Sequence, residues 1–195
     1  MNGSKQLWVL AGGNGAGKST FYRMSLLKKR GVLFVNADMI AKLINPESPE
    51  QVSYEAAHLV ERFRDEFLIN GVSFCFETVF SHASKIDFIA KAKAHGYQVI
   101  LVYIHLDHVG LNEARVHQRV SEGGHNVPPD KIRSRLPRTM KNVAAALPLV
   151  DEARLLDNSL RTTPFKEAAL VRKGRRIRVA APLPSWAEEI MRDIP

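Results

Sequence analysis

The sequence predicts an α/β fold: a mostly parallel sheet flanked by helices, with a helical lid and a C-terminal β-hairpin. Three observations carry that prediction. Short apolar runs alternate with stretches whose apolar residues keep helical spacing, and the turns between them are short. The apolar runs also lack period-2 alternation, as expected of strands buried on both faces.

In chain order, "QLWVL" is a buried strand running into a glycine-rich turn, and "KSTFYRMSLLKK" reads as the helix after it. "VLFVN" (32–36) is a second strand. Over residues 51–70, Val52, Ala56, Leu59, Val60, Phe63 and Phe67 mark one helix face, and Gly71 closes that helix. "VSFCFE" (72–77) is a third strand, "SKIDFIAKAKAHGY" an amphipathic helix ended by Gly96, and "YQVILVYIHL" a fourth strand. "VGLNEARVHQRV" is a cation-rich helix, followed by the loop "SEGGHNVPPD" with two glycines and two prolines. A helix resumes in "DKIRSRLPRTMKNVAAAL", with an irregularity expected near Pro137. "DEARLLDNS" is a strand entering a polar turn. "FKEAALVRKGRRIRVAAP" gives two strands joined at Lys173-Gly174, and a short helix follows near Trp186. With no repeat and no linker composition, the 195 residues read as one domain, 1–195, with a lid at about 109–146 and the terminal hairpin and helix at about 164–193.

Composition is that of a globular protein, 45% apolar and 25% charged, which argues against disorder or a fibrous repeat. No signal-type segment and no apolar run of about 20 residues is present, so a cytoplasmic protein without a membrane partner is expected. The single cysteine, Cys75, lies in a strand and reads as a buried, inert thiol. The net charge of +8 concentrates in residues 115–141 (+5) and 161–178 (+6). Such a balance suits nucleic acid or polyphosphate ligands equally.

Gly12-Gly13-Asn14-Gly15-Ala16-Gly17-Lys18-Ser19 decides between them, matching GxxxxGK[ST] at each fixed position, between a strand and a helix. Its glycines let successive backbone N–H groups face a phosphate, and the helix that starts there adds its positive dipole end. Lys18 is placed to reach the β- and γ-phosphates and Ser19 to ligate magnesium; Thr20 completes the nucleotide-binding run. A purine nucleoside triphosphate with Mg2+ is the expected ligand of this P-loop. No Asn-Lys-x-Asp pattern of a switch GTPase occurs, and strand three ends in the single carboxylate Glu77 rather than an Asp-Glu pair of a motor ATPase. A kinase-type P-loop fold fits better, because phosphoryl transfer needs a positioned nucleophile, charge neutralisation and exclusion of water. Asp38 follows strand two and can take a hydroxyl proton or, equally, cap a helix. Glu77 and Thr78 can bind acceptor hydroxyls, tune magnesium or serve as capping and turn residues. Arg119, Arg133, Arg135 and Arg138 flank the loop 121–129 as candidate lid arginines, with His125 as polar lid material.

With "GGNGAGKST", "VNADMIA", "FCFETVFS", "HGYQVILVYIHL", "QRVSEGGHNVPPDKIRSRLPRT" and "LLDNS" together, the chain resembles the zeta toxin family of P-loop kinases. The resemblance implies phosphorylation of UDP-N-acetylglucosamine on a sugar hydroxyl with ATP or GTP and Mg2+, and a small protein antitoxin as partner. It implies Asp38 as catalytic base, Lys18 and Ser19 as nucleotide and magnesium groups, and Glu77 and Thr78 as acceptor contacts. It further implies Arg119 and Arg135 as lid arginines, with Arg133 and Arg138 competing for the second place, and Asn158 near the nucleotide. The chain lacks the long C-terminal region of many members, so another nucleotide, sugar or metabolite stays open as acceptor. Binding or phosphorylation of nucleic acid through "VRKGRRIRV" is the alternative of a different class; few aromatics interleave with those cations.

Overall fold

The computed structural model describes residues 4–27, 31–122 and 126–195. His125 and the two glycines before it lie outside those residues. A single seven-stranded sheet runs in the order β2-β3-β1-β4-β5-β6-β7. Its strands are β1 (Gln6–Ala11), β2 (Leu33–Val35), β3 (Phe74–Thr78), β4 (Gln98–His105), β5 (Glu152–Asp157), β6 (Lys166–Arg172) and β7 (Arg175–Val179). The first five are parallel to their neighbours, and β6 and β7 are antiparallel additions.

The central strands β1, β3 and β4 are apolar between their ends because each face has its own cover. Leu7 and Val9 of β1 join Val99, Leu101 and Tyr103 of β4 on one face. There they meet α3 (Ser53–Ile69), α4 (Ser84–Ala94), α6 (Pro129–Ala146) and α7 (Ser185–Ile190). Trp8 and Leu10 join Ile100, Val102 and Ile104 on the other face, covered by Phe21, Leu26 and Leu111. Leu111 belongs to α5 (Val109–Ser121), which also packs on α6 through Val116, Val127 and Ile132. Among the described residues no helix is long and apolar enough to cross a membrane.

Within the described residues the expected elements are found, with two differences, and the last two residues of the helix expected over 18–29 lie outside them. The helix after the cradle is α-helical only over α1 (Lys18–Phe21) and widens to a π-turn over Tyr22–Leu26, where the Leu27 N–H donates to Tyr22 O at 2.9 Å. Helix α6 runs unbroken through Pro137, without the expected irregularity. The hairpin turns at Lys173-Gly174, both with positive φ (47° and 69°), as the twist of a two-residue connection requires. Cys75 is fully buried in β3, and burial, with Glu77 adding to it, pushes its thiol far above the ordinary value.

Two crossovers place the site. The chain leaves β1 toward the β2 edge, returns through β3, and passes to the other side of β1 to form β4. Connections diverge at the carboxyl end of β1, and ligands of open α/β sheets bind at such a point.

Candidate active site

The glycine-rich turn leaves β1 and enters α1 through backbone that only glycine adopts readily. Gly15 has φ 75° and Gly17 φ 99°; a Cβ on them would lie 2.7 Å from Asn112 O and 2.6 Å from Asn158 Nδ2. Substitution at either place therefore meets both strain and collision. The turn is held from behind by two amides. Asn112 on α5, almost fully buried, donates from Nδ2 to Asn14 O at 2.7 Å. Asn158, after β5, donates from Nδ2 to Ala16 O at 2.9 Å and accepts from the Phe165 N–H at 3.3 Å. Asn158 thus stands behind the cradle as a positioning residue and does not line the cleft. Asn112 was not legible as a site residue, since nothing in α5 separates it from an ordinary surface amide.

Lys18 donates from Nζ to Gly12 O at 2.9 Å and Gly13 O at 3.0 Å. Burial is the largest influence on its ammonium and lowers its pKa. Glu77 opposes this, Arg119 reinforces it and Asp38 opposes it, which records the four charges as one cluster. The Ser19 hydroxyl donates to Glu77 Oε2 at 2.8 Å, so two hard oxygen donors meet at the edge of the cradle.

Asp38 occupies the first turn of α2 (Ala37–Ile44), and it does not cap that helix. Asn36 does, its Oδ1 accepting from the Met39 N–H at 3.0 Å. The Asp38 carboxylate is left exposed and lines two adjoining cavities. One, of about 520 Å³, carries Gly15, Lys18, Ser19, Thr20, Glu77 and Thr78. The other, of about 750 Å³, extends beside α2 past Lys42, Glu47 and Glu50. Arg23, Asp38, Arg119 and Glu122 belong to both.

The end of β3 is fixed in an unusual backbone. Phe80 is buried with φ 65°, and its N–H donates to Thr78 Oγ1 at 3.0 Å. Two α6 side chains secure the strained turn: Thr139 Oγ1 donates to Val79 O at 2.8 Å, and Asn142 Nδ2 to Phe80 O at 3.0 Å. Such strain persists only where the surroundings over-determine it, which here sets Thr78 at the cleft.

The three competing α6 arginines separate cleanly. Arg133 forms a two-pronged ion pair with Glu113, at 2.6 and 3.1 Å, and lies outside the cleft. Arg138 donates to Ser134 O of its own helix at 3.1 Å. Arg135 lines the cleft, its Nη1 at 3.4 Å from Asn14 Oδ1. Arg119, on α5, lines it from the other side of the loop 121–129. Two further cleft cations escaped the sequence reading. Arg23 comes from the π-turn, and Arg115 is anchored to Asn158 O at 2.8 Å. Cations on amphipathic helices carry no signal of which face they serve.

The arrangement suits a polyanion: among the described residues, five cations (Lys18, Arg23, Arg115, Arg119, Arg135) surround a backbone anion nest, and the carboxylates of Asp38 and Glu122 stand at the border with a second cavity. Comparisons with known proteins agree. A fold search places the chain on a member of the PezAT chromosomal toxin-antitoxin system of Streptococcus pneumoniae, with TM-score 0.68 and 16% identity over 97% of this chain and 79% of that one. The AvrRxo1-ORF1:AvrRxo1-ORF2 complex with ATP matches at TM-score 0.68 and 22% identity, over 97% of this chain, which spans 64% of the matched one. An uncharacterised protein of Haemophilus influenzae is 31% identical over 138 residues, 67% of this chain and 97% of that protein. The family model for zeta toxins matches residues 2–168. The chain has the P-loop kinase-type fold and belongs to the zeta toxin family.

Proposed function

We propose that the protein is a small-molecule kinase that moves the γ-phosphate of ATP or GTP to a sugar hydroxyl of UDP-N-acetylglucosamine or a related nucleotide sugar. The observation that carries this reading is the position of Asp38. It is relieved of capping by Asn36 and stands on the boundary between the cradle cavity and its neighbour. A donor phosphate on one side and an acceptor hydroxyl on the other would meet there.

In this reading the cradle N–H groups and Lys18 hold the β- and γ-phosphates. The acceptor oxygen attacks the γ-phosphorus while Asp38 accepts its proton. A new O–P bond forms, the bond to the β,γ-bridging oxygen breaks, and the nucleoside diphosphate leaves with that electron pair. Arg119 and Arg135, on the two helices of the lid (about 109–146), neutralise charge on the transferring group as the lid shuts and excludes water. The oxygen donors Ser19 and Glu77 suit Mg2+, which would supply charge neutralisation between the phosphates. Glu77 and Thr78 hold acceptor hydroxyls, and Asn158 and Asn112 keep the cradle in shape. The kinship with PezAT supports a small protein antitoxin as partner, and a nucleoside triphosphate donor with a nucleotide-sugar acceptor supports a cytoplasmic location.

The test is mass spectrometry of a reaction containing protein, ATP, Mg2+ and UDP-N-acetylglucosamine, with Asp38→Asn beside it. A product heavier by one phosphate, made by the parent protein and lost with the variant, is expected. An unmodified acceptor would remove the substrate assignment, and transfer that persists in Asp38→Asn would remove the base.

A further inference from the structure

A third cavity, of about 340 Å³, opens on the far side of Glu77 and Thr78 and shares Ala37, Glu77 and Thr78 with the cradle cavity. Tyr54, His58, Glu61, Arg64 and Lys85, from α3 and α4, form the rest of its polar lining. We propose that Arg64 and Lys85 form an anion subsite that takes a phosphate group of the acceptor. This rests on the kinase reading above and gives the phosphate of a nucleotide-sugar acceptor its place in the site.

Arg64 is 6% exposed, yet it is poorly neutralised. Its Nη2 reaches Glu61 Oε1 at a long 3.4 Å, and its buried Nε has no hydrogen-bond partner among the described residues. Lys85, with a side chain 22% exposed, shares the same Glu61 oxygen at 4.0 Å. Two cations thus divide one largely solvated carboxylate. Burial lowers the pKa of both, and the Arg64 charge lowers that of Lys85 further, with Glu61 opposing in each case and Asp65 opposing as well at Arg64.

A buried guanidinium is costly unless it is paired, and an apolar side chain would fill the same space without that cost. This chain makes tight arginine pairs elsewhere, as Arg133 with Glu113 at 2.6 and 3.1 Å shows. At Arg64 it instead fixes the orientation of the group. The guanidinium carbon lies 5.0 Å from the Phe76 ring centroid and 5.1 Å from that of Phe88, rings that stand at 88° to each other. Aromatic walls hold the planar fork without satisfying its donors, the state in which it binds an incoming phosphate with least reorganisation. At the mouth, the Tyr54 and His58 rings meet edge to face at 4.6 Å, and Tyr54 is 78% exposed. That shelf suits a sugar or base attached to the phosphate.

The test is NMR of the isotopically labelled full chain, saturated with a non-hydrolysable ATP analogue and Mg2+, titrated with inorganic pyrophosphate and separately with UDP-N-acetylglucosamine. Pyrophosphate is expected to shift the amides of Glu61, Arg64, Thr78 and Lys85. Lys85→Gln should weaken that binding about tenfold and Lys85→Arg should restore it. Lys85 is the position to vary, because truncating buried Arg64 endangers the fold. Shifts absent from these amides, or unchanged in Lys85→Gln, would overturn the subsite. UDP-N-acetylglucosamine moving the same amides would identify the anion as the acceptor's diphosphate; pyrophosphate binding with the nucleotide sugar silent would leave a free-phosphate site and overturn the assignment. The nucleotide analogue reports on Gly15–Ser19 independently, so a failed donor reading shows there and nowhere else.

Discussion

Within one turn of α2 the chain divides two tasks that either of two residues could perform. Asn36 and Asp38 are both helix-capping types, and only the backbone shows that Asn36 takes the cap. The two substitutions should therefore part. Asn36→Ala removes a capping bond and should lower stability by about 1 kcal/mol in a urea melt. Asp38→Asn should leave the melt in place while phosphoryl transfer falls by about 10²–10⁴-fold. The lid arginines part in the same way. Arg135→Ala should reduce kcat by about 10²-fold, whereas Arg133→Ala, losing an exposed pair with Glu113, should change transfer by less than about twofold. Residues on one helix two or five apart look alike in sequence, yet they point to different sides. The arginine that serves the cleft was therefore open until α5 and the cradle were in place. Arg64 was less legible still, because its setting comes from Phe76 and Phe88 on two other elements.

At the level of elements, the strands were readable because a strand covered on both faces has no room for a polar residue, and the helix ends at Gly71 and Gly96 because each closes with a return bond, Gly71 N to Leu68 O and Gly96 N to Lys93 O. The π-turn after α1 was not, since a widened turn uses the same residues as a regular one. The contact between α6 and the end of β3 was also hidden, as it joins residues about 60 apart. It has a measurable role. Thr139→Val leaves the half-buried Val79 carbonyl without this donor and should cost about 1 kcal/mol, with a raised KM for the acceptor and little change in nucleotide affinity. In the basic hairpin, the feature that favoured nucleic acid, two cations, Arg172 and Arg178, meet carboxylates. Arg154 and Arg172 share Glu152, and Arg178 pairs with Glu167. A strand edge studded with cations is also a deterrent to pairing with another chain.

Across the whole molecule, the positive charge is sorted by use: Arg115, Arg119 and Arg135 of α5 and α6 line the cleft, while Arg172 and Arg178 of the hairpin meet Glu152 and Glu167. The C-terminal helix is tied to the sheet beside the site by an aromatic stack. His105 at the end of β4 lies flat on Trp186 at 4.4 Å and shares a 2.9 Å hydrogen bond with the Tyr103 hydroxyl. Burial pushes the His105 imidazole down to about 4, against the pull of Asp157 and Asp107. Its unfolded value lies near 6.5, so the unfolded chain takes up the proton first as pH falls. The stability that neutral His105 contributes is complete above about pH 6.5 and declines as pH falls toward 4, by up to about 3 kcal/mol. Denaturant melts across that window should show the slope, and His105→Gln should flatten it.

The separation of Asn36 from Asp38 also yields a reagent. On the proposed reading, Asp38→Asn keeps the cap, the cradle and both cavities but lacks the proton acceptor, so it should hold its ligands without turning them over. Immobilised Asp38→Asn, incubated with ATP, Mg2+ and a bacterial metabolite extract, would retain the cell's own acceptor for direct identification, a bait whose selectivity comes from the enzyme itself.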